Sequence, residues 1–386
     1  MKKIIVSLAL SLFVALPLLA GLENPVAPNP IDEIQQLRQE LAEQTKRVDR
    51  LYELLGPQMT ELEERAAALN QQSEEDAALK LQMVCVLTNL DLTTRAQFSP
   101  AENVFAVLTR QGTLQIYNLE GKLLRALSVP GERLKTFGYA LDGKRMLLGT
   151  QTGKVYVWNL AEEKPRLVFA KLERPVCHLL WLPNPERFLL AYDQTTGAYA
   201  GFIVRLADGA PLREFSSRWQ ISTYQAVAAS ADGKWFGALD IPGQQRAGYL
   251  LDSTDGSIKA KLRDDDYPSG PLSIGIAPDN NTVAVGYAPY NLSLWDAAQQ
   301  KELRLIKAHS NWVTTLAFSP DSRRLISGGG DNTARIWDVA SGGEIGRIRV
   351  QPDGCVYVNA VGFSADGKYV LAAAENNMIF IAKTPN

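Results

Sequence analysis

A segment of 41 to 48 residues recurs along most of this chain. Each copy contains a short apolar run followed by a turn, which is Pro-Asp or Asp-Gly-Lys in five copies, Ser99-Pro100 in the first and Pro183-Asn184 in the third. Equivalent positions just before that turn are Ser99, Ala140, Leu182, Ser230, Ala277, Ser319 and Ser364. A fixed period of this length is typical of proteins in which each repeat is one supersecondary unit stacked on its neighbours. Residues 82–386 are therefore predicted to form one array of seven units.

The sixth unit shows most clearly what one repeat contains. Its β-branched and aromatic residues alternate with polar ones in short runs broken by Gly, Asp and Asn, which is typical of half-buried strands. Four strands are predicted from this pattern: Val313–Phe318, Arg324–Ser327, Thr333–Asp338 and Glu344–Val350. Each repeat is therefore predicted to be a small antiparallel sheet of four strands.

The third strand of several units ends on an aromatic residue followed by Asn or Asp. With this motif, residues 84–386 resemble the WD-repeat β-propeller family, which implies an all-β seven-bladed propeller. The resemblance is strongest in the sixth unit, and it implies a structural hydrogen-bond tetrad there that ties the strands together and has no catalytic role. The motif pairs are Tyr117-Asn118, Trp158-Asn159, Trp295-Asp296 and Trp337-Asp338, and the tetrad residues are His309, Ser327, Asp331 and Trp337. The third and fourth units depart from the pattern, because Val204 and Leu251 stand where Trp337 does.

The seventh unit offers three strands: Val358–Ser364, Tyr369–Ala374 and Met378–Lys383. Upstream of the first unit, Val84–Leu90 has the composition of a strand and no partner of its own. Pairing of Val84–Leu90 with Met378–Lys383 would complete the seventh sheet and remove two exposed strand edges. This pairing is therefore predicted to close the ring.

The first 20 residues are predicted to be a secretory signal peptide. Lys2 and Lys3 precede the uncharged apolar run 4–16, and Ala20 is a small residue suited to cleavage. A retained membrane anchor is the alternative, but the run is shorter than the roughly 20 residues that span a bilayer. Position 22 is Leu22 rather than Cys, so no lipoprotein anchor is expected. The mature protein is expected to be periplasmic or secreted by a bacterium, with no membrane span after cleavage.

Residues 21–30 contain three prolines and are predicted to form an extended linker. Residues 31–81 have helix-forming composition with one Gly-Pro interruption, at Gly56-Pro57. Their apolar residues follow the spacing of a coiled-coil seam, namely Ile34, Leu37, Leu41, Val48, Leu51 and Leu55. Two arrangements stay open: an antiparallel helical hairpin, or a coiled coil that makes the protein a homo-oligomer.

Few residues in the chain suit catalysis or metal binding. With 2 His and 3 Cys, no zinc cluster is expected. The phosphate-loop-like segments 138–144 and 362–368 lack the following Ser or Thr and precede strands, so no nucleotide cofactor is expected. Asp264–Asp266 is interpreted as a solvated turn, and His178 as a buried structural residue. The formal net charge of −2 argues against nucleic acid as a partner.

The loops at one end of the predicted ring carry aromatic and Arg residues, which often dominate binding energy at protein interfaces. The candidate partner-binding residues are Arg133, Arg174, Trp219, Tyr267, Tyr290, Trp312 and Tyr357. The chain is therefore expected to be a non-enzymatic protein-interaction scaffold of the bacterial cell envelope, with no catalytic residue, cofactor or metal. Two alternatives are a hydrolase or lyase with carboxylate, Arg or Tyr groups in the central channel, and a cell-wall glycan binder.

Overall fold

The computed structural model describes most of the repeat region and one stretch of the N-terminal region. The chain divides into two compact units, Met1–Glu75 and Asp76–Asn386. The predicted signal peptide (1–20) and linker (21–30) lie outside the described residues. The described residues are 35–47, 50, 79–88, 95–182, 184, 186–194, 198–219, 227–239, 247–254, 256–262, 270–288, 290–351 and 356–385.

In the first unit, the structure describes one helix, α1, over residues 35–47. The Thr45 hydroxyl donates a hydrogen bond to the Leu41 carbonyl at 2.8 Å, and the Leu41 side chain, part of the predicted seam, is 49% exposed. The remainder of the seam from Val48 onward lies outside the described residues, so the coiled coil and the hairpin both stay predictions. No helix in the described part of the chain is long and apolar enough to cross a lipid bilayer.

The second unit is a ring of seven four-stranded antiparallel sheets, counted over the described residues, in which the first strands of successive sheets contact one another. We call these sheets blades 1 to 7. The predicted all-β seven-bladed propeller is thereby confirmed. Blade 1 is β2 Arg95–Phe98, β3 Val104–Leu108, β4 Leu114–Asn118 and β5 Leu123–Leu127; blade 2 is β6 Leu134–Tyr139, β7 Arg145–Thr150, β8 Val155–Asn159 and β9 Arg166–Phe169; blade 3 is β10 Val176–Trp181, β11 Arg187–Gln194, β12 Ala198–Arg205 and β13 Pro211–Trp219. Blade 4 is β14 Val227–Ala229, β15 Trp235–Leu239, β16 Gly248–Asp252 and β17 Ile258–Leu262; blade 5 is β18 Pro271–Ile276, β19 Thr282–Tyr287, β20 Asn291–Asp296 and β21 Lys301–Lys307; blade 6 is β22 Val313–Phe318, β23 Arg324–Gly329, β24 Thr333–Asp338 and β25 Glu344–Arg349; blade 7 is β26 Val358–Phe363, β27 Tyr369–Ala374, β28 Met378–Lys383 and β1 Met83–Leu87.

Blade 7 is completed by a strand from far upstream, as the sequence predicts. Strand β1 pairs antiparallel with β28, with Cys85 opposite Ile381 and Leu87 opposite Ile379. The blade therefore joins the two ends of the propeller, and the outer edge of β28 is covered. Strand β26 of blade 7 also contacts β2 of blade 1, which closes the ring.

The helical segment does not extend to residue 81, where the sequence interpretation ended it. Residues 79–81 instead run along the outer edge of blade 6: Lys80 forms a parallel bridge with Arg347, and the Arg347 N–H donates to the Leu79 carbonyl at 2.7 Å. Leu81 is 8% exposed, and a Cβ added to Gly346 would lie 2.6 Å from its Cδ2 atom. Burial of Leu81 and two backbone hydrogen bonds favour this extended conformation over another helical turn.

A glycine in the second strand lets neighbouring blades pack closely. In blades 2, 5 and 6, a Cβ on that glycine would lie within 3.0 Å of the valine that begins the first strand of the next blade. The three pairs are Gly149–Val176, Gly286–Val313 and Gly328–Val358. All three valines are fully buried. Because each glycine has no side chain, the branched valine side chain of the next blade fills that space.

Blades 3 and 4 replace the missing tryptophan by moving the aromatic ring to the neighbouring strand. In blade 6, Trp337 on the third strand is paired with an aliphatic residue on the second, whereas in blades 3 and 4 the order is reversed. The pairs are Leu325–Trp337, Phe188–Val204 and Phe236–Leu251. All six residues are buried, so each blade places one large ring and one aliphatic side chain at this level.

Candidate functional site

The tetrad residues of blade 6 form a continuous chain of hydrogen bonds. His309 Nδ1 lies 2.9 Å from an Asp331 carboxylate oxygen, and His309 Nε2 lies 2.7 Å from Ser327 Oγ. Trp337 Nε1 donates to the same Ser327 oxygen at 2.8 Å. Because a carboxylate can only accept, Nδ1 carries the proton, and Nε2 then accepts from the Ser327 hydroxyl. The chain therefore links the loop before β22 to strands β23 and β24.

The electrostatics of the tetrad also indicate a structural role. Burial lowers the pKa of His309, although the hydrogen bond to Asp331 partly opposes this, so the imidazole is neutral at pH 7. Burial opposes ionisation of Asp331, but the bonds from His309, Thr333 and Ser310 hold its pKa well below its usual value. Asp331 also forms an ion pair with Arg335 at 3.1 Å. Every polar group of the tetrad is thus occupied, and none is available to a substrate.

The loops predicted to carry partner-binding residues meet at one end of the ring, which we call the upper face. There the loop that enters a blade is hydrogen-bonded to the loop between its second and third strands. In each case a backbone N–H donates to a backbone carbonyl at 2.8–3.0 Å. The pairs are Gln151 to Arg133, Gly330 to Trp312 and Glu375 to Tyr357. These bonds place Arg133, Trp312 and Tyr357 at equivalent positions of blades 2, 6 and 7.

Three of the predicted aromatic residues, Tyr290, Trp312 and Tyr357, lie on neighbouring loops of the upper face, and we call them the aromatic cluster. Trp312 and Tyr357 have ring centroids 5.9 Å apart, and Trp312 is 40% exposed. Tyr290 is 41% exposed, and its carbonyl accepts from the His309 N–H at 3.1 Å in the loop that leads to Trp312. Tyr357 is half-buried, because its ring packs where a Cβ on Gly330 would lie, 2.7 Å from Cε1. The three aromatic residues lie along the junctions of blades 5, 6 and 7.

Two other predicted residues, Arg133 and Arg174, lie in the loops that enter blades 2 and 3. The Arg133 guanidinium folds back on the Arg110 carbonyl, with Nε at 2.9 Å, on the side of blades 1 and 2. Arg174 is half-buried in the loop before β10. The backbone of Trp219 ends β13 opposite Tyr199. Tyr267 lies outside the described residues.

The first strands of the blades surround a central channel with a volume of about 1160 Å³. Two of its lining residues, Arg95 of blade 1 and His178 of blade 3, contact each other. Arg95 Nη2 lies 2.9 Å from His178 Nδ1 and donates to the Cys177 carbonyl at 2.9 Å. Burial, together with the positive charge of Arg95, lowers the pKa of His178 well below its usual value. The interpretation of His178 as buried is correct, but its location on the channel was not foreseen.

Sequence reasoning missed Arg95 because an Arg in a strand commonly lies on a solvated face. The repeat register held a signal, however. Counting from the reference positions, the residue equivalent to Arg95 is a small hydroxyl residue in blades 2, 5 and 6, namely Thr136, Ser273 and Thr315. Arg95 therefore departs from the repeat pattern, because it places a long cationic side chain where those blades have a small hydroxyl residue.

Arg95 and Tyr139, two residue types named in the enzyme alternative, line the channel, but a pair of carboxylates is not present in its described lining. Among its described lining residues, Glu375 is the single carboxylate, whereas glycoside hydrolysis ordinarily needs two. No group of three or more His, Cys, Asp and Glu side chains in the described ranges is placed to hold a metal ion. Asp264–Asp266 lies outside those ranges.

In a comparison with known proteins, residues 300–338 match the family model "WD domain, G-beta repeat". This segment contains all four tetrad residues. The chain is 23% identical over 222 residues to "Periodic tryptophan protein 2 homolog" of Dictyostelium discoideum, covering 56% of this chain and 23% of the relative. It is 24% identical over 168 residues to human "WD repeat-containing protein 55", covering 44% and 42%. It is 31% identical over 108 residues to "Pre-mRNA-processing factor 19" of rice, covering 28% and 20%.

The chain thus spans between about a fifth and two fifths of the length of these curated relatives. The fold and the tetrad define a seven-bladed β-propeller with a WD-type blade. The matched repeat and the relatives show that parts of this chain are similar to proteins of the WD-repeat family. Propellers of this family are typically protein-interaction scaffolds.

Proposed function

We propose that this protein is a non-enzymatic scaffold whose upper face binds a protein partner. The observation that carries the proposal is the aromatic cluster of Tyr290, Trp312 and Tyr357, in which two of the side chains are about 40% exposed on loops tied to the blades by backbone hydrogen bonds. Large rings held in place lose little conformational entropy on binding, and buried aromatic anchors contribute about 2 kcal/mol or more each at interface hot spots.

Site-specific crosslinking tests this role. A photoreactive amino acid placed at Trp312 or Tyr290 is expected to capture the same protein partner in intact producing cells. The matched control is Leu141, which is 60% exposed in the turn between β6 and β7 at the opposite end of blade 2. Equal capture at Leu141, or no discrete product at Trp312, would contradict the proposal.

The affinity of the captured partner then tests the energetics. Trp312→Ala is expected to weaken binding by at least about thirtyfold, because losing an aromatic anchor at a hot spot costs about 2 kcal/mol or more. Leu141→Ala is expected to leave the dissociation constant unchanged. Retention on purified peptidoglycan that depends on Trp312 would favour the glycan-binding alternative instead.

We further propose that residues 1–20 direct export to the periplasm or the medium of a bacterial cell, and that residues 31–81 oligomerise the protein or dock it. The Lys-Lys start, the apolar run and Ala20 support export. Cell fractionation followed by mass measurement of the mature chain checks this. A product that begins at Gly21 in the extracytoplasmic fraction is expected, and a full-length cytoplasmic product would contradict it.

A further inference from the structure

We propose that the central channel contains an anion-binding site, on Arg95, His178 and Lys135, for a small molecule that carries a carboxylate or phosphate group. This site lies inside the ring and is separate from the aromatic cluster of the upper face. It does not depend on the proposed scaffold function.

The first argument is the set of unused donors on Arg95. A guanidinium carries five N–H donors. Both contacts of Arg95 with described residues, the Cys177 carbonyl and His178 Nδ1, are made through Nη2. The Nε and Nη1 atoms, with three N–H groups, have no acceptor in the described part of the chain, and no described carboxylate lies within ion-pair distance. Arg95 therefore lines the channel, and no described carboxylate balances the charge of its guanidinium.

His178 adds a fourth donor through its tautomer. Because the Arg95 guanidinium can only donate, His178 Nδ1 must accept, and the ring proton is on Nε2. No described residue accepts a hydrogen bond from Nε2. The side chain is 5% exposed and lines the channel. Arg95 thus orients a neutral imidazole whose N–H is available to the same ligand.

The third argument is the local charge of the channel. Lys135, the second residue of β6, lies on the blade between those of Arg95 and His178, is exposed to the channel, and forms no ion pair with a described residue. Arg110 and Arg133 lie at the upper mouth, and Glu375 is the one described acid of the lining. Positive charge is therefore concentrated here although the whole chain has a net charge of −2. Apolar walls such as Phe137 and Leu180 strengthen the attraction by lowering the local dielectric constant.

The geometry also limits what kind of anion fits. The channel is open to solvent, is lined by residues of all seven blades, and its volume of about 1160 Å³ is slightly above the usual range of small-molecule pockets. A nucleic acid duplex needs an open basic stripe instead. Burial lowers the pKa of the Arg95 guanidinium, a penalty on its charge that a bound carboxylate or phosphate would offset.

Calorimetric titration and thermal unfolding of the mature protein test the site, with inorganic phosphate and citrate as probes against sodium chloride at equal ionic strength. At least one probe is expected to bind and to raise the melting temperature beyond the effect of chloride. Phosphate and citrate together show whether the site prefers a phosphate or a carboxylate. If neither probe binds, the proposal is overturned.

Three variants locate the binding. Arg95→Met is expected to abolish it, and Lys135→Met to weaken it by about tenfold, as loss of a charge-assisted contact does. Lys144→Met is the matched control, because it removes the same charge from an exposed turn at the opposite end of blade 2. The Lys135 side chain is exposed and makes no hydrogen bond or ion pair with a described residue, so Lys135→Met keeps the test decisive if Arg95→Met fails to fold. Unchanged affinity in Lys135→Met, or an equal loss in Lys144→Met, would overturn the proposal.

Discussion

At the scale of single residues, the hydrogen bonds of blade 6 show why one serine holds two other side chains in place. Ser327 Oγ donates to His309 Nε2 and accepts from Trp337 Nε1. In blade 5, Ser293 accepts from Trp295 Nε1 at 2.6 Å and donates to the Tyr287 hydroxyl at 3.3 Å, so a tyrosine takes the place of the histidine. Each serine thus bonds two buried side chains, but the second bond is 2.7 Å long for Ser327 and 3.3 Å long for Ser293.

Replacing these serines should separate the two arrangements. Ser327→Ala leaves two buried polar groups without partners and is expected to lower the free energy of unfolding by about 2–4 kcal/mol. Ser293→Ala removes the acceptor of the Trp295 indole N–H and only a long bond to the Tyr287 hydroxyl, so it is expected to cost about half as much. Chemical denaturation measures both values. A loss below about 0.5 kcal/mol for Ser327→Ala would show that the tetrad contributes little to stability.

The buried His178 makes stability depend on pH. In the unfolded chain it takes up a proton below a pH of about 6.5, whereas in the folded protein burial and Arg95 hold its pKa well below that value. The unfolded state therefore binds more protons, and the free energy of unfolding falls as the pH drops below 6.5, by up to about 1.4 kcal/mol per pH unit for this one group.

The variant His178→Gln isolates this contribution. Glutamine keeps an acceptor for Arg95 but does not titrate, so the variant is expected to lose less stability than the wild type between pH 6.5 and pH 5. Denaturation curves at several pH values measure the two slopes. Because His309 titrates in the same direction in both proteins, some dependence remains, and identical slopes would contradict the assignment.

At the scale of elements, strand β1 and the segment 79–81 have related roles. Residues 79–81 extend the edge of blade 6, and β1 completes blade 7, so one stretch of chain crosses two neighbouring blades. Cys85 and Leu87 of β1 also pack beneath Gly121, which adopts a φ of +81° in the turn of blade 1. This stretch therefore connects three blades around the closure point.

Two truncations test the closure. A chain that begins at Asp76 retains both segments and is expected to be soluble and to unfold in one cooperative transition. A chain that begins at residue 89 exposes the edge of β28 and is expected to aggregate, or to melt about 10 °C lower. Size-exclusion chromatography and thermal unfolding compare them. Equal behaviour would mean that β1 is dispensable for the ring.

At the scale of the whole molecule, the described helix and the propeller belong to separate compact units. Leu41 of the predicted seam is 49% exposed in α1. An exposed seam residue of this kind favours association with another helix, and linking several propellers in one oligomer would raise the avidity of a weak binding face.

Sedimentation analysis distinguishes the two helical arrangements. The mature protein is expected to sediment with at least twice the mass of one chain. A chain that begins at Asp76 is expected to sediment as a monomer. Leu37→Asp combined with Leu41→Asp should dissociate the mature oligomer without changing propeller melting. A mature chain that is monomeric at all concentrations would contradict oligomerisation and favour the hairpin.

Local chemistry explains why much of the fold was predictable. A period of about 43 residues, the recurring Asp-Gly-Lys turns and strand-length alternation all depend on neighbours close in sequence, so the strand bounds of β22, β24, β27 and β28 agree with the prediction. The tetrad residues were also recognisable, because the resemblance of the sixth unit to the WD-repeat family implies which residues form it.

Contacts between distant repeats could not be read in the same way. Arg95 and His178 are 83 positions apart and belong to blades 1 and 3, so their contact depends on how tightly the inner strands converge. Residues 79–81 looked helical, and they adopt an extended conformation because the edge of blade 6 offers backbone partners and a place for Leu81. Periodicity thus decides how many blades form and which faces are apolar, since it is a property of adjacent residues. Closure of the ring decides which polar groups meet in the channel, because it brings together side chains that are never neighbours in sequence.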